Sequence, residues 1–224
     1  MSFMHEKTQG LKKRIFNFSM KCSIERCGII ILAAGESKRL GSPKQLLSFD
    51  GNTLLARVAK TACESMMYPV IAVLGAHAEK IRPTLNIPGL NVVNNNDWQE
   101  GMASSIRTGL TSMIEIYPQV DGIIILVCDQ PYLSHDLIKA LIEAQRDAGL
   151  PAAAASYSGK LGTPALFHKS LFSALMLLSG DKGARKMLEQ MREDVVEVDF
   201  EMGDVDIDTQ ADYERLLNND KGAE

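Results

Sequence analysis

Short apolar runs alternate with longer stretches of helical periodicity along most of this chain, and that alternation restricts the folds it can adopt. The predicted strands are Cys27–Ala34, Val70–Leu74, Leu90–Val93, Gly122–Val127, Pro151–Ala155, Ala165–Phe167 and Val195–Val198. The predicted helices are Thr53–Ser65, Ala78–Leu85, Ser104–Ile116, Ser134–Ala148, Ser170–Leu178, Gly183–Met191 and Thr209–Leu217. Most strand runs are apolar on both faces, as in a sheet covered by helices on each side. The sequence therefore predicts an α/β chain with a three-layer αβα architecture and a mostly parallel sheet.

Capping residues support several of these helices. Thr53 and Ser134 are typical N-caps, and Thr209 followed three residues later by Asp212 has the form of a capping box. In doubly wound α/β folds, ligands bind beyond the carboxyl ends of the strands. The segments that directly follow strands are therefore the candidate functional regions.

The charge of the chain is unevenly distributed. The 224 residues carry a formal net charge of −4, yet residues 1–26 hold six basic and two acidic side chains, so residues 27–224 carry −8. An acidic body argues against nucleic-acid binding, which needs clustered positive charge. No apolar span reaches the roughly twenty residues needed to cross a membrane. We expect residues 1–26 to form a basic, partly disordered N-terminal extension and residues 27–224 to form one domain.

The cysteines and the amino terminus bear on the cellular compartment. Cys22, Cys27, Cys63 and Cys128 form no CxxC pair and are too sparse for a disulfide framework. The basic start precedes an apolar run at 28–34, but no small-x-small cleavage pattern follows. We interpret that run as a buried strand and expect a cytoplasmic location.

The loop after the first strand combines two glycines, two hydroxyls and three cations within Gly35–Lys44. Glycines let the backbone approach a ligand, and successive N–H groups in such a loop can bind an anion. A Walker loop would need Gly where Leu40 stands, and a dinucleotide fingerprint would need Gly where Ser37 stands. The pattern favours phosphate binding of another type, and a polar turn is the alternative.

Six motifs in this order resemble a known family. They are Leu32-Ala33-Ala34-Gly35-x-Ser37-x-Arg39-x-Gly41-x-Pro43-Lys44-Gln45-Leu46-Leu47, Trp98-x-x-Gly101-Met102-x-Ser104-Ser105-Ile106-Arg107-x-Gly109, Val127-Cys128-Asp129-Gln130-Pro131, Gly162-x-Pro164-Ala165-Leu166-Phe167, Gly180-Asp181-Lys182-Gly183-Ala184-Arg185 and Asp206-Ile207-Asp208-Thr209. Over residues 27–217 the chain resembles the nucleotidyltransferases that act on molybdenum cofactor, particularly the cytidylyltransferase branch. The resemblance implies a Rossmann-like nucleotidyltransferase fold with a mostly parallel, mixed central sheet. Leu40 stands where the family commonly has Met, a volume-conserving change.

The resemblance also implies roles for the first two motifs. Arg39 and Lys44 would hold the triphosphate and, with Asp129, carry catalysis, because fixed cations stabilise the charge that develops during phosphoryl transfer. The nucleotide would bind to a set formed by Leu32, Ala33, Ala34, Gly35, Arg39, Lys44, Gly101, Ser104, Ser105 and Asp129. Helix N-capping explains Ser104 and Ser105 equally well. We expect Lys38 to be a solvated surface lysine.

Two carboxylates are candidates for a metal site. Asp129 ends an apolar strand, and alternation would turn Asp206 and Asp208 to the same side of an extended segment. Mg²⁺ binds to few carboxylates together with phosphate oxygens and water. We expect Asp129 and Asp208 to bind Mg²⁺, with Asp206 as the substitute for Asp208. The alternative role of Asp129 is to cap the turn that follows it, and that of Asp208 is to cap the neighbouring helix.

The later motifs would face the second substrate. Gly162, Pro164, Asp181, Lys182 and Arg185 are the candidates, and the charged ones could hold a pterin or its phosphate. A charged turn before a helix explains Asp181, Lys182 and Arg185 equally well.

The resemblance implies transfer of CMP from CTP to molybdenum-loaded molybdopterin, with a recipient molybdoenzyme as a further partner. The attacking phosphate monoester is largely dianionic at neutral pH, since its second pKa is about 6, so no general base is required. Guanylyltransferases usually carry Gly at the position of Ala34, which favours cytidine. The alternatives are a GTP-dependent molybdopterin guanylyltransferase, another sugar or small-molecule phosphate nucleotidyltransferase, and a non-catalytic carrier of molybdenum cofactor.

Overall fold

The computed structural model describes residues 22–181 and 183–220. The strands are β1 (Cys27–Ala33), β2 (Ser48–Phe49), β3 (Asn52–Thr53), β4 (Val70–Leu74), β5 (Leu90–Asn94), β6 (Gly122–Val127), β7 (Ala152–Tyr157), β8 (Lys160–His168) and β9 (Val195–Asp199). The helices are α1 (Leu54–Glu64), α2 (Ala78–Ile81), α3 (Met102–Ile116), α4 (His135–Ala148), α5 (Phe172–Met176), α6 (Arg185–Gln190) and α7 (Gln210–Asp220). Short 3-10 helices lie at Lys44–Leu46, Arg82–Thr84, Trp98–Glu100, Lys169–Leu171 and Arg192–Asp194.

Seven strands form one mixed sheet in the order β5-β4-β1-β6-β8-β7-β9. Every neighbouring pair is parallel except the two pairs that β8 makes, with β6 and with β7. The reversal arises in a two-residue turn between β7 and β8, where Ser158 has φ 49° and Gly159 has φ 71°. Positive φ at both central residues matches the twist of a tight hairpin. The predicted three-layer αβα fold with a mostly parallel, mixed sheet is confirmed.

β1 lies inside the sheet and is buried along its whole length. Ile29 and Ile31 pack on one face in a cluster that includes residues of α1 and α4, and Ile30 packs on the other face with residues of α3. Gly109 lets α3 approach closely, since a Cβ there would lie 2.5 Å from Cγ2 of Ile30. Each buried isoleucine contributes roughly 1.5–3 kcal/mol. The burial of both faces explains why β1 reads as a continuous apolar run.

The three predicted caps are confirmed. Thr53 and Ser134 accept hydrogen bonds from the N–H groups of Ala56 and Leu137. Thr209 and Asp212 satisfy each other's N–H groups in a capping box, with N···O distances of 2.9 and 3.2 Å.

Residues 22–26 pack against the domain, although the sequence assigned them to the basic extension. The N–H of Cys22 donates to the carbonyl of Gly149, and Ile24 is buried. Oδ1 of Asp121 accepts from the N–H groups of Glu25 and Arg26. The rest of the predicted extension, 1–21, lies outside the described residues. Within the described ranges, no helix has both the length and the apolar character needed to span a bilayer.

Candidate active site

A cleft of about 630 Å³ opens where β1 and β6 end. Because both strands are parallel, their carboxyl ends lie at the same edge of the sheet, and the loops that follow them form the cleft walls. The predicted residues that line this cleft are Leu32, Ala33, Ala34, Gly35, Arg39, Lys44, Gly101, Ser105, Asp129, Asp181 and Asp208.

The loop after β1 presents unused backbone donors. The N–H groups of Gly35, Glu36 and Ser37 donate no hydrogen bond to any other described residue, and Gly35 is exposed. Ser37 adopts φ 58°, and its Oγ accepts from the N–H of Lys44 at 3.0 Å, which closes the loop. Successive free N–H groups in a loop of this kind form a concave site for an anion.

A cluster of two cations and two carboxylates lies beside this loop. Nζ of Lys44 is 2.5 Å from Oδ2 of Asp129 and 3.2 Å from Oδ1 of Asp208. Nη2 of Arg39 is 2.6 Å from Oδ2 of Asp208. The Lys44 and Asp129 side chains are about 15% exposed, whereas Arg39 is 70% exposed. The structure thus brings together four of the predicted site residues from three separate motifs.

The negative charges of Asp129 and Asp208 keep Lys44 protonated. Burial by itself lowers the pKa of Lys44, but the negative charge of Asp129, together with its hydrogen bond and the charge of Asp208, raises that pKa well above the ordinary value of 10.5. Lys44 is therefore a fixed cation at the mouth of the sheet. A fixed cation stabilises developing phosphate charge without reorganisation.

A second cleft of about 650 Å³ adjoins the first and shares Leu32, Met102, Val127, Asp129 and Asp181 with it. Its floor is apolar, and the side chains that form it are Ile106, Ile125, Ala165, Phe167 and Leu188. Its rim is polar and includes Tyr157, Thr163, Arg185 and Asp206. Asp129 therefore stands at the boundary between two adjoining binding spaces.

Of the residues predicted for a second substrate, Gly162, Asp181 and Arg185 line this second cleft. A side chain at Gly162 would have to displace Tyr157, because its Cβ would lie 2.1 Å from Oη of Tyr157. Pro164 is buried within β8. Lys182 lies outside the described residues.

The two carboxylates of the Asp206–Asp208 segment line different clefts. Asp208 contacts Lys44 and lines the first cleft, whereas Asp206 lines the second. The partial exclusion of water around Asp206, and next the charge of Asp129, raise the pKa of Asp206 to about 6. Residues 206–208 belong to no strand, so the same-side alternation, which assumed an extended segment, stays a prediction.

The helix after Gly101 begins two residues earlier than predicted, at Met102, so Ser104 and Ser105 are not N-caps. Gly101 occupies the N-cap position with φ 110°. Nδ2 of Asn95 donates to Oγ of Ser104 at 2.8 Å and to Oγ of Ser105 at 3.0 Å. Ser104 also donates to the carbonyl of Gly101, while Ser105 reaches the cleft wall. Asn95 thus anchors both hydroxyls.

Similarity to known proteins agrees with this geometry. Residues 29–195 match the MobA-like NTP transferase domain. The chain belongs to this family. It is 32% identical to nicotine blue oxidoreductase of Paenarthrobacter nicotinovorans, over 84% of this chain and 95% of that one, and 30% identical to purine catabolism protein PucB of Bacillus subtilis, over 84% and 94%. A probable molybdenum cofactor guanylyltransferase of Bacillus cereus is 27% identical over 51% of this chain and 54% of that one.

Solved structures extend the comparison. The homologue of Mycobacterium tuberculosis Rv0371c from Mycobacterium sp. strain JC1 is 33% identical and superposes with a TM-score of 0.77, over 89% of this chain and 98% of that one. A manganese complex of Rv0371c is 28% identical with a TM-score of 0.73, over 87% and 99%. This MobA-like chain is a nucleotidyltransferase, which argues against the non-catalytic carrier that the sequence left open.

The carboxylates of this MobA-like domain fit a divalent cation. Asp129 and Asp208 each place an oxygen within 3.2 Å of one positively charged atom, Nζ of Lys44. Among the described residues, no group of three or more His, Cys, Asp or Glu side chains could hold a metal. A hard cation bound by two carboxylates would complete its shell with phosphate oxygens and water, as Mg²⁺ does.

Two side chains in or beside this MobA-like site were not predicted from the sequence. Arg107 donates to the carbonyl of Leu178 at 2.6 Å and pairs with Glu100, which connects α3 to the segment before Asp181. Tyr157 lines the second cleft and packs against Gly162. Arg107 belongs to a quoted motif, but no pattern in the sequence indicates the partners of either side chain.

Proposed function

We propose that this protein transfers CMP from CTP to molybdenum-loaded molybdopterin, forming molybdopterin cytosine dinucleotide and pyrophosphate. The observation that carries the proposal is the position of Asp129, which pairs with Lys44 in the first cleft and also lines the adjoining second cleft. The first cleft, with its free N–H groups and cations, would bind the nucleoside triphosphate. The second cleft would bind the pterin over its apolar floor, with Arg185 at its rim.

The reaction needs little covalent participation by the protein. An oxygen of the pterin phosphate attacks the α-phosphorus of CTP, and the bond from that phosphorus to the oxygen bridging to the β-phosphate breaks, so pyrophosphate leaves with that oxygen. A phosphate monoester is already largely dianionic near pH 7, so no base must remove a proton. Lys44 and Arg39 would hold the triphosphate in line with the acceptor.

Asp129 and Asp208 would hold Mg²⁺, with Asp206 as the substitute for Asp208. The bound ion would neutralise charge on the triphosphate. The two oxygens that converge on Nζ of Lys44 support this assignment. The manganese complex of the mycobacterial relative supports a divalent metal in the family.

Ala34 supports CTP rather than GTP as the donor. It lines the first cleft, at the position where the resembling guanylyltransferases usually have Gly. The Ala34→Gly variant should gain activity with GTP relative to CTP. An unchanged preference in that variant would argue that other residues select the base.

The decisive experiment incubates the purified protein with Mg²⁺ or Mn²⁺ and each of CTP, GTP, ATP and UTP, with and without molybdenum-loaded molybdopterin. We expect pyrophosphate release and a dinucleotide detectable by mass spectrometry only when CTP and the acceptor are both present. Equal product from GTP would contradict the cytidine assignment. Absence of pyrophosphate under every condition would overturn nucleotidyl transfer to molybdopterin.

A further inference from the structure

Three buried glutamines make the same type of bridge in different parts of the fold. Gln45, Gln130 and Gln145 are each at most 2% exposed, and in each the side-chain Nε2 donates to two backbone carbonyls. The bridge of Gln145 joins Cys22 to Leu150, at distances of 2.8 and 2.7 Å. The three bridges use the same donor atom and the same type of acceptor. A difference between the effects of substituting them therefore reflects where each glutamine lies in the fold.

The bridge of Gln45 braces the start of the loop after β1, and Gln45 itself lines the first cleft. Its Nε2 is 2.9 Å from the carbonyl oxygen of Ala33 and 2.9 Å from that of Gly35. The carbonyl between them, of Ala34, accepts from the N–H of Ala76 at 3.0 Å. Three successive carbonyls are therefore fixed by protein donors. The N–H groups that follow them, beginning at Gly35, are left free beside the cleft.

Gln45 differs from the other two glutamines in its acceptor atom. Its Oε1 is fully buried and has no hydrogen-bond partner among the described residues. A buried acceptor without a partner lowers stability, and an apolar side chain of similar volume would avoid that loss. The Gln45 amide thus fixes the loop conformation at some cost in stability.

We propose that Gln45 is a positioning residue that sets the affinity of the loop for the triphosphate. It does so by holding the carbonyls of Ala33 and Gly35 away from the anion, so that the free N–H groups keep the arrangement that binds phosphate oxygens. The proposal rests on the proposed function, because it assigns the triphosphate to this loop. It concerns binding of the nucleotide and not the transfer step.

The test compares Gln45→Met with Gln145→Met. Methionine has a similar volume and cannot donate to either carbonyl. The readouts are binding of inorganic tripolyphosphate with Mg²⁺ by calorimetry, the KM and kcat for CTP, and thermal unfolding. We expect Gln45→Met to weaken tripolyphosphate binding and raise the KM by about tenfold with a much smaller change in kcat. Gln145→Met should bind as the wild type does and should lose more thermal stability than Gln45→Met.

Other outcomes separate the two proposals. Tripolyphosphate binding that is weakened in Gln45→Met, in a protein that releases no pyrophosphate, would support the role of Gln45 and overturn nucleotidyl transfer. An unchanged KM in an active Gln45→Met protein would overturn the role of Gln45 alone, and so would equal binding losses in both variants or no binding by the wild type. If Gln45→Met fails to fold, Gln45→Asn, which is too short to bridge both carbonyls, should show the same loss of binding.

Discussion

Nζ of Lys44 lies 2.5 Å from Oδ2 of Asp129, across 85 residues of sequence. The lysine follows β1 and the aspartate follows β6, and both side chains are largely buried. Neighbouring parallel strands end at the same edge of the sheet, so the topology itself delivers the cation and the carboxylate to one point.

Replacing Lys44 by Met should lower turnover roughly a hundredfold to a thousandfold, the usual effect of losing one group that stabilises transition-state charge. The fold should survive with a lower unfolding temperature, because Asp129 loses its charge partner. Pyrophosphate release and thermal unfolding measure the two effects. Lys38 offers a matched control in the same loop, since its side chain is 79% exposed. Lys38→Met should retain wild-type turnover, and equal losses in both variants would contradict the role of Lys44.

Lys44 should compete with a divalent metal for the two carboxylates when no nucleotide is bound. Removal of its positive charge in Lys44→Met should strengthen Mn²⁺ binding roughly tenfold, because a like charge within about 4 Å opposes the ion. Electron paramagnetic resonance titration with Mn²⁺ measures this affinity directly. Asp208→Asn should weaken binding, whereas Asp206→Asn should leave it nearly unchanged. A reversed order of the two aspartate variants would assign the metal to Asp206.

Gly101 should tolerate no side chain. A Cβ at Gly101 would lie 2.2 Å from Oδ1 of Asp181, and the residue has φ 110°. Gly159 has φ 71° and nothing within 4 Å of its Cβ position. Gly159→Ala should cost about 1–2 kcal/mol from backbone strain alone, and Gly101→Ala should cost more and also raise the KM for CTP. Urea denaturation and kinetics test the pair, and equal effects on both would contradict the crowding at Gly101.

His168 should make stability depend on pH in weakly acidic solution. Burial, followed by the charge of Lys169, lowers the pKa of His168 below 6.5, and Nδ1 of the neutral ring accepts from the N–H of Ser170. The unfolded chain therefore binds this proton more readily than the folded one. The stability that neutral His168 contributes is fully present above pH 6.5. It decreases as the pH falls from 6.5 through the lowered pKa of His168 in the folded state. Unfolding temperatures measured from pH 7.5 to 5.0 should fall less steeply in His168→Asn, and parallel curves would refute this expectation.

The sequence was most informative where one local pattern decides the structure. The runs of β4 and β6 were predicted to the residue, and the caps at Thr53 and Ser134 were correct. Arg39, Lys44, Asp129 and Asp208 were identified from motifs, and the structure brings them together.

What was missed depends on contacts between distant segments. β8 was predicted only over Ala165–Phe167, because its first half contains Gly162 and Pro164, which are uncommon within strands, and is recognisable as a strand only from its pairing with β7. The start of α3 at Met102 depends on Asn95 and on the N–H of Ala103, which donates to the carbonyl of Gly180. No local sequence pattern predicts which distant residues these segments contact.

The β7–β8 hairpin contributes to the second cleft and is separate from the loop after β1. β8 runs antiparallel to both of its neighbours. Tyr157 at the end of β7 and Gly162, Thr163, Ala165 and Phe167 of β8 line the second cleft, while the ends of β1 and β6 contribute to the first. A pair of residues added to each arm would preserve the alternation of inward and outward side chains. The second cleft could therefore be deepened or narrowed over evolutionary time, or by a protein engineer, while the loop after β1 stays unaltered.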